Sequence, residues 1–282
     1  MGRVTLAKRH LASLRGMAQE HLAEQYDRNA ACYDDAAYFN RFAAGRLVAC
    51  VPEGEYRDLL DVGSGTGFAT LAALERFPSI ASVTGLDVSA GMLEQFREKL
   101  ADHPGVAARL IEDDVGALGG HGVEADLALC CMALHWFTDR AAAIAAIAGS
   151  LRPGGVLALV SPGPGHDQEY VALVQDLDPP VPAHVHEVFA ASSIDPDVVE
   201  GQMVEAGLEP LDVWVETRHR VAPAERYLGR MRAVGSHTWH SIMEPEEVEA
   251  MLARIEAAVR AGSGPGGWRY TFTKTFAVAR RP

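Results

Sequence analysis

A compact apolar run, Leu59-Leu60-Asp61-Val62, passes straight into Gly63-Ser64-Gly65-Thr66-Gly67 and then into a helical stretch, Thr70 to Phe77. Nothing else in the chain constrains the fold as strongly. Glycine permits positive φ and removes the Cβ that would collide with a ligand. A helix beginning after such a loop offers backbone N–H groups that have no partner of their own. Strand, glycine loop and helix in that order therefore bring main chain close to a nucleotide-like ligand. The spacing narrows the choice. A dinucleotide fingerprint has its third glycine three residues after the second, but that position is Phe68 and the third glycine is Gly67. The loop thus argues against an NAD-type ligand and for one without pyrophosphate.

The segments around the loop alternate in texture. Short apolar runs at Val83 to Leu86, Ala108 to Ile111, Ala125 to Cys131 and Val156 to Val160 read as further strands. Between them lie helical stretches, Ala90 to Leu100 with Ser89 as N-cap, and Asp139 to Leu151 capped by Thr138 or Asp139. Arg152-Pro153-Gly154-Gly155 reads as a turn before the fifth strand. Strands alternating with helices predict a mostly parallel, doubly wound α/β sheet. Leu211 to Val221 and Arg269 to Ala279 supply a sixth and a seventh strand. The expected organisation is an N-terminal helical lid over 1–50, a core over 51–162, and a lid insertion over 163–196. The core then continues over 197–222, a helical cap insertion spans 223–267, and a final core strand occupies 268–282.

Acidic residues stand where such a core needs them. Asp87 closes the second strand about twenty residues beyond the loop, where a carboxylate accepts both ribose hydroxyls of an adenosine; capping the next helix is its other reading. Asp113 and Asp114 follow the third strand, and either can meet an adenine amino group. With these motifs in order, DVGSGTG, GLDVS, EDDV, ALHWF and LRPGG, the chain resembles the class I S-adenosylmethionine (SAM)-dependent methyltransferases. More narrowly it is similar to the small-molecule group that includes the trans-aconitate and malonyl-carrier-protein methyltransferases. The resemblance covers roughly Tyr26 to Ser161 and implies a Rossmann-like fold and SAM as cofactor. It implies that Asp61 and the loop of Gly63, Ser64, Gly65 and Gly67 hold the methionine part. It places Asp87 on the ribose, Val88 and Met92 beside the adenine, and Asp113 or Asp114 with Val115 at the adenine edge. Backbone at Met132 and Ala133 would face the sulfonium. A Tyr-Asp pair on an N-terminal helix would cover the cofactor, with Tyr33-Asp34 and Tyr26-Asp27 both available.

His135-Trp136 follows the fourth strand, and open α/β sheets bind ligands outside the carboxyl ends of their strands. His135 is a candidate base because an imidazole titrates near working pH; a structural imidazole packed below the lid is the plainer reading. Trp136 and Tyr26 are expected to wall the acceptor pocket. His184, His186, His237, Trp239 and His240 add polar aromatic lining from the lid and cap. His237 and His240, three apart, could share a helix face, and with His184 or Glu187 they could hold a metal, yet no metal signature is present and none is expected. Arg218, Arg220 or Arg230 could hold an anionic acceptor.

The expected reaction is methyl transfer to a small organic molecule at oxygen, on a hydroxyl or a carboxylate. Methylation at nitrogen or carbon and a non-methylating use of SAM remain open on residues alone. A formal net charge of -13 gives no global attraction to nucleic acid or anionic membranes. No run of about 18 apolar residues exists to span a bilayer. Cys32, Cys50, Cys130 and Cys131 form no C-x-x-C pair and read as reduced thiols. The expectation is a cytoplasmic enzyme, monomer or homodimer, without nucleic-acid or membrane partners.

Overall fold

The structure is a computed structural model that describes residues 23–181, 192–235, 239, 243 and 245–282. A helix α1 (23–36) leads into α2 (Tyr38–Cys50). Then come β1 (Asp58–Val62), α3 (Phe68–Arg76), β2 (Ser82–Asp87), α4 (Ala90–Leu100), β3 (Ala107–Glu112), β4 (Ala125–Cys131), α5 (Arg140–Gly149) and β5 (Leu151–Pro162). Beyond it lie α6 (Gln168–Gln175), α7 (Pro196–Glu205), β6 (Glu209–Ala222), α8 (Ala224–Arg230), α9 (Pro245–Gly262) and β7 (Trp268–Arg280). Short 3-10 turns at Val115–His121 and Leu134–Trp136 follow β3 and β4.

The strands form one seven-stranded sheet in the order β3-β2-β1-β4-β5-β7-β6. β1 to β5 run parallel, and β7 is antiparallel to both β5 and β6. The strand order reverses at β1 and β4, so a crevice opens above their carboxyl ends, where such sheets bind ligands.

Strand periodicity distributes the core. Successive side chains point to opposite faces, so Leu59, Leu127 and Leu129 pack with α2, α3 and α4 on one side. Leu60, Ala128 and Cys130 pack with α5 and α7 on the other. A third cluster lies apart, beneath α6, α8 and α9, with the side chains of Trp268, Tyr270 and Phe272 as its floor. The predicted caps are present: Ser89 Oγ accepts from Met92 N, and Asp139 accepts from Ala142 N. Gly207 takes φ +79° just past α7, a left-handed position that favours glycine.

One local expectation changes. Arg152-Pro153-Gly154-Gly155 is not a turn ahead of β5 but part of it. Leu151 pairs with Ala125, the register shifts, and pairing resumes at Val156 with Leu127. Gly154 N donates to Arg281 O, so the C-terminus absorbs the irregularity. The expected lids over 1–50 and 163–196 lie partly outside the described residues.

Candidate active site

Two hollows share a wall at the carboxyl ends of β1 and β4. Gly63, Ser64 and Gly65 floor the first. Gly63 N and Ser64 N both donate to Leu86 O, at 2.8 and 3.0 Å, which fastens the loop to β2. The three glycines do different things. At Gly63 a Cβ would meet Ala133 Cβ at 2.3 Å, and at Gly67 it would meet Phe96 Cδ2 at 2.2 Å. Gly65 has φ +52° with nothing within 4 Å of an added Cβ, so its open side is the hollow itself. Gly67 does not line the hollow; close packing on Phe96 and a left-handed φ of +87° demand glycine there.

Asp87 stands across from the loop. Its Oδ2 accepts from Gly65 N at 2.7 Å and its Oδ1 from Ser89 N at 3.0 Å. Burial raises this carboxyl's pKa and those N–H bonds oppose the rise. Val88, Met92, Asp113, Asp114 and Val115 complete the far side. Asp113 is committed to His121 at 2.9 Å, which holds its carboxyl below the usual range. Asp114 Oδ1 accepts from Gly116 N at 2.8 Å and caps the turn that begins at Val115.

Asp61 is 1% exposed and stands behind the loop rather than in the hollow's wall. Its Oδ2 accepts from Thr70 N and Thr70 Oγ1, at 3.2 and 2.7 Å. Its Oδ1 is buried with no hydrogen-bond partner. Desolvation pushes the carboxyl up to about 7 against those two bonds.

The roof comes from α1. Tyr26 and Tyr33 both line the first hollow, their rings 6.0 Å apart edge to face. Asn40 Nδ2 donates to Tyr33 Oη at 2.8 Å. The neighbouring aspartates tie the helix down. Asp27 Oδ1 accepts from Ser89 Oγ at 2.6 Å and Gly91 N at 2.8 Å. Asp34 accepts from Thr66 Oγ1 at 2.7 Å and pairs with Lys99 at 2.5 Å. Both Tyr-Asp pairs are thus engaged, where the resemblance offered them as alternatives.

Tyr26, Asn40, Met132 and Trp136 belong to both hollows. Met132 holds φ +58° and donates from N to Val160 O at 2.7 Å. A non-glycine residue in that region marks a constrained position, here where the two spaces meet. The second hollow reaches under the cap and gathers basic residue types. It is lined by His135, His166, Arg230 and Lys274, with Asp167 the one carboxylate among its described lining residues. Arg230 is paired with Asp167 at 2.6 Å, and Tyr227 Oη donates to the same carboxylate at 3.2 Å. Lys274 is 4% exposed; its Nζ has no hydrogen-bond partner and lies 4.3 Å from the Phe272 ring centroid. Burial, with Arg230 nearby, pulls its ammonium down to about 7.

His135 lines this second hollow, with Nδ1 buried and unpartnered. It does not titrate near working pH: burial, with Lys274 and Arg140 beside it, drives its pKa well below the ordinary value. His166 is driven down as well, by burial and by Lys274, Arg230 and His135 nearby, and its Nδ1 accepts from Thr273 N at 3.2 Å. Trp239 is fully buried in the third cluster, donating to Tyr170 Oη at 2.8 Å. It stands behind the hollow instead of lining it. Arg218 is turned to Glu216 and the Phe42 ring, and Arg220 does not line the hollow. His184, His186, Glu187, His237 and His240 lie outside the described residues. Among the described residues no His/Cys/Asp/Glu cluster could hold a metal, and no helix is long and apolar enough to cross a membrane.

Asp167, His166 and Lys274 escaped the sequence reading. Lys274 carried a signal: it interrupts the apolar alternation Tyr270, Phe272, Phe276, Val278 on β7, and a lysine on a buried strand face needs a reason. Asp167 and His166 carried none, because a loop between strand and helix brings them in.

The family described as a methyltransferase domain matches residues 59–155. The trans-aconitate 2-methyltransferase of Methylobacterium nodulans is 30% identical over 260 residues, 88% of this chain and 98% of that protein. The malonyl-[acyl-carrier protein] O-methyltransferase of Dechloromonas aromatica is 30% identical over 221 residues, covering 78% of each chain. Among solved structures, the YcgJ protein of Bacillus subtilis aligns over 85% of this chain and 98% of its own, with TM-score 0.54 and 14% identity. Phosphoethanolamine N-methyltransferase 2 of Haemonchus contortus, in complex with S-adenosyl-L-methionine, aligns over 91% of this chain and 57% of its own, with TM-score 0.54 and 16% identity.

Proposed function

This chain belongs to the class I SAM-dependent methyltransferases, in the group of the trans-aconitate and malonyl-carrier-protein enzymes, and from that membership we propose that it methylates a small organic molecule at a hydroxyl or carboxylate oxygen. The observation that carries this reading is the pair of hollows meeting at Tyr26, Asn40, Met132 and Trp136. One hollow has the features of a nucleoside-type site, and the other is basic and capped.

The residues of the first hollow fit the cofactor. Gly65 leaves the loop open on the hollow side. Asp87 is held in place by backbone N–H groups on both of its oxygens, leaving lone pairs for the two ribose hydroxyls. Val88, Met92 and Val115 offer apolar surface for a purine, with Asp113 or Asp114 at its edge. Asp61, bonded to Thr70 in α3 and shut off from the hollow, would hold the frame of the loop rather than touch the methionine end. SAM supplies a methyl carbon on a cationic sulfur, activated for in-line displacement. What the protein adds is alignment, and fixing two reactants in line supplies about 7–11 kcal/mol of a barrier.

The second hollow would hold the acceptor with its oxygen toward Met132. Tyr26, Trp136 and Asn40 close the junction and keep water from competing there. A carboxylate oxygen attacks without a base. A hydroxyl would need a base as it attacks, and the burial and nearby cations that keep His135 neutral oppose its taking that proton.

The test is calorimetric titration with S-adenosylhomocysteine, for the wild type and Asp87→Ala. The expected result is binding by the wild type and at least a tenfold loss in the variant. A wild type that does not bind, or a variant that binds as tightly, sinks the assignment of the first hollow.

A further inference from the structure

We propose that Lys274 determines acceptor specificity: its ammonium, the one uncompensated cation of the second hollow, receives an anionic group of the acceptor other than the oxygen that is methylated. This rests on the second hollow being the acceptor site.

The charges of the hollow decide which group does this. Arg230 is formally charged but spent. Asp167 neutralises it at 2.6 Å, and the rings of Phe39, Tyr227 and Tyr270 surround its guanidinium. His135 and His166 are both held neutral. Lys274 remains, nearly inaccessible, without a hydrogen-bond partner, and lining the space. A buried ammonium is strongly disfavoured unless something pairs with it. Among the described residues the one carboxylate of the hollow already serves Arg230 and Tyr227. The missing partner is therefore an anion that enters the hollow.

Geometry sets the shape of that anion's carrier. Lys274 pairs with Pro162 on β5, one two-residue step beyond the pairing of Phe276 with Val160. Val160 O receives Met132 N. Lys274 and the Met132 junction line the same hollow, so an acceptor that touches both must carry an anionic group besides its reacting oxygen. A small acid with two separated carboxylates, or a carboxylate and a distant hydroxyl, meets that requirement. A simple alcohol or amine does not.

Binding such an anion also moves a proton. Lys274 sits at about 7 with the hollow empty, depressed by burial and by Arg230. The other titratable groups around it are Cys131 from β4, His135, His166 and Asp167, and Glu216, opposite it on β6, whose carboxylate is already bound to Arg46 and Trp214. At pH 8 the ammonium is mostly deprotonated, and an anion beside it restores the proton.

The experiment uses the whole protein saturated with S-adenosylhomocysteine, with trans-aconitate, glutarate and crotonate as probes. Each is titrated at pH 8 in two buffers of different ionisation enthalpy, into wild type, Lys274→Met and Lys274→Arg. The expected result is that trans-aconitate or glutarate binds the wild type with net proton uptake of up to one per anion, and crotonate binds far more weakly. Lys274→Met should bind at least tenfold more weakly with that uptake abolished, and Lys274→Arg should recover most of the affinity. Lys274→Met matches the lysine in length and removes a buried charge, so its melting temperature should not fall. Absence of any anion binding by the wild type overturns the proposal, as does equal affinity or equal proton uptake in Lys274→Met. S-adenosylhomocysteine titrated alone reports on the first hollow independently. Should that binding fail, the anion titrations still compare wild type and variant directly.

Discussion

Residues of one type, spaced two apart in the glycine loop, carry different burdens. Gly65 has open space where a side chain would go, whereas Gly67 has the Phe96 ring there. Both sit at positive φ, which costs an alanine about 1–2 kcal/mol. Gly65→Ala should therefore lose stability only by about that amount while losing most of its S-adenosylhomocysteine affinity, since the methyl group would enter the hollow. Gly67→Ala adds overpacking against Phe96, typically about 1–3 kcal/mol, for a total of roughly 2–5 kcal/mol. Urea denaturation and calorimetry on both variants check the pair. Equal losses of stability, or retained affinity in Gly65→Ala, would show that the loop's two faces are not so divided. The same contrast explains what could be read early. That glycines were needed was legible from their spacing; which one faces a ligand depends on Phe96, far away in sequence, and on Asp87 receiving Gly65 N.

Helix α1 shows how an element acquires a role that its own periodicity does not reveal. Tyr26 and Tyr33 are seven residues apart, as are Asp27 and Asp34, so each pair falls on one side of a helix after two turns. The tyrosines cover the first hollow while the aspartates hold the helix to the start of α4 and to the glycine loop. The aspartates therefore work as a latch on the roof, and their bonds lie apart from the hydrophobic clusters. The double variant Asp27→Ala, Asp34→Ala should release S-adenosylhomocysteine about tenfold faster in stopped-flow fluorescence, with the melting temperature lowered by only a few degrees. An unchanged dissociation rate would remove the latch and leave α1 as cover alone. Sequence reading offered the two pairs as alternatives because a helix face can be counted along the chain, whereas its partners, Ser89, Gly91 and Thr66, are chosen by docking.

Across the whole molecule, the sheet supports two clusters on its faces and a third under the cap, and the two hollows divide between them accordingly. The first is built from loops of the sheet itself. The second depends on α6, α8, β7 and the cap's own core, in which Trp239 is fully buried and bonded to Tyr170. Trp239→Ala should cost about 3–5 kcal/mol, and the loss should be local. Hydrogen exchange is expected to quicken in α6, α8 and α9 while β1 to β4 keep their protection, with S-adenosylhomocysteine affinity near the wild-type value. Uniform loss of protection would mean that cap and core unfold as one unit. By itself, the sequence determined the alternation of strands and helices, the position of the nucleoside-type loop, the caps at Ser89 and Asp139, and the acidic residues at the end of β2 and just after β3. Those features follow from local chemistry: periodicity, positive φ and orphaned helix N–H groups are properties of neighbours in the chain. Only the tertiary structure decided that Arg152 to Gly155 joins β5, that Trp239 stands behind the hollow, that His135 is held neutral, and that Lys274 is left without an opposite charge. Desolvation and charge compensation depend on which distant segments come together, and no spacing along the chain encodes that sum.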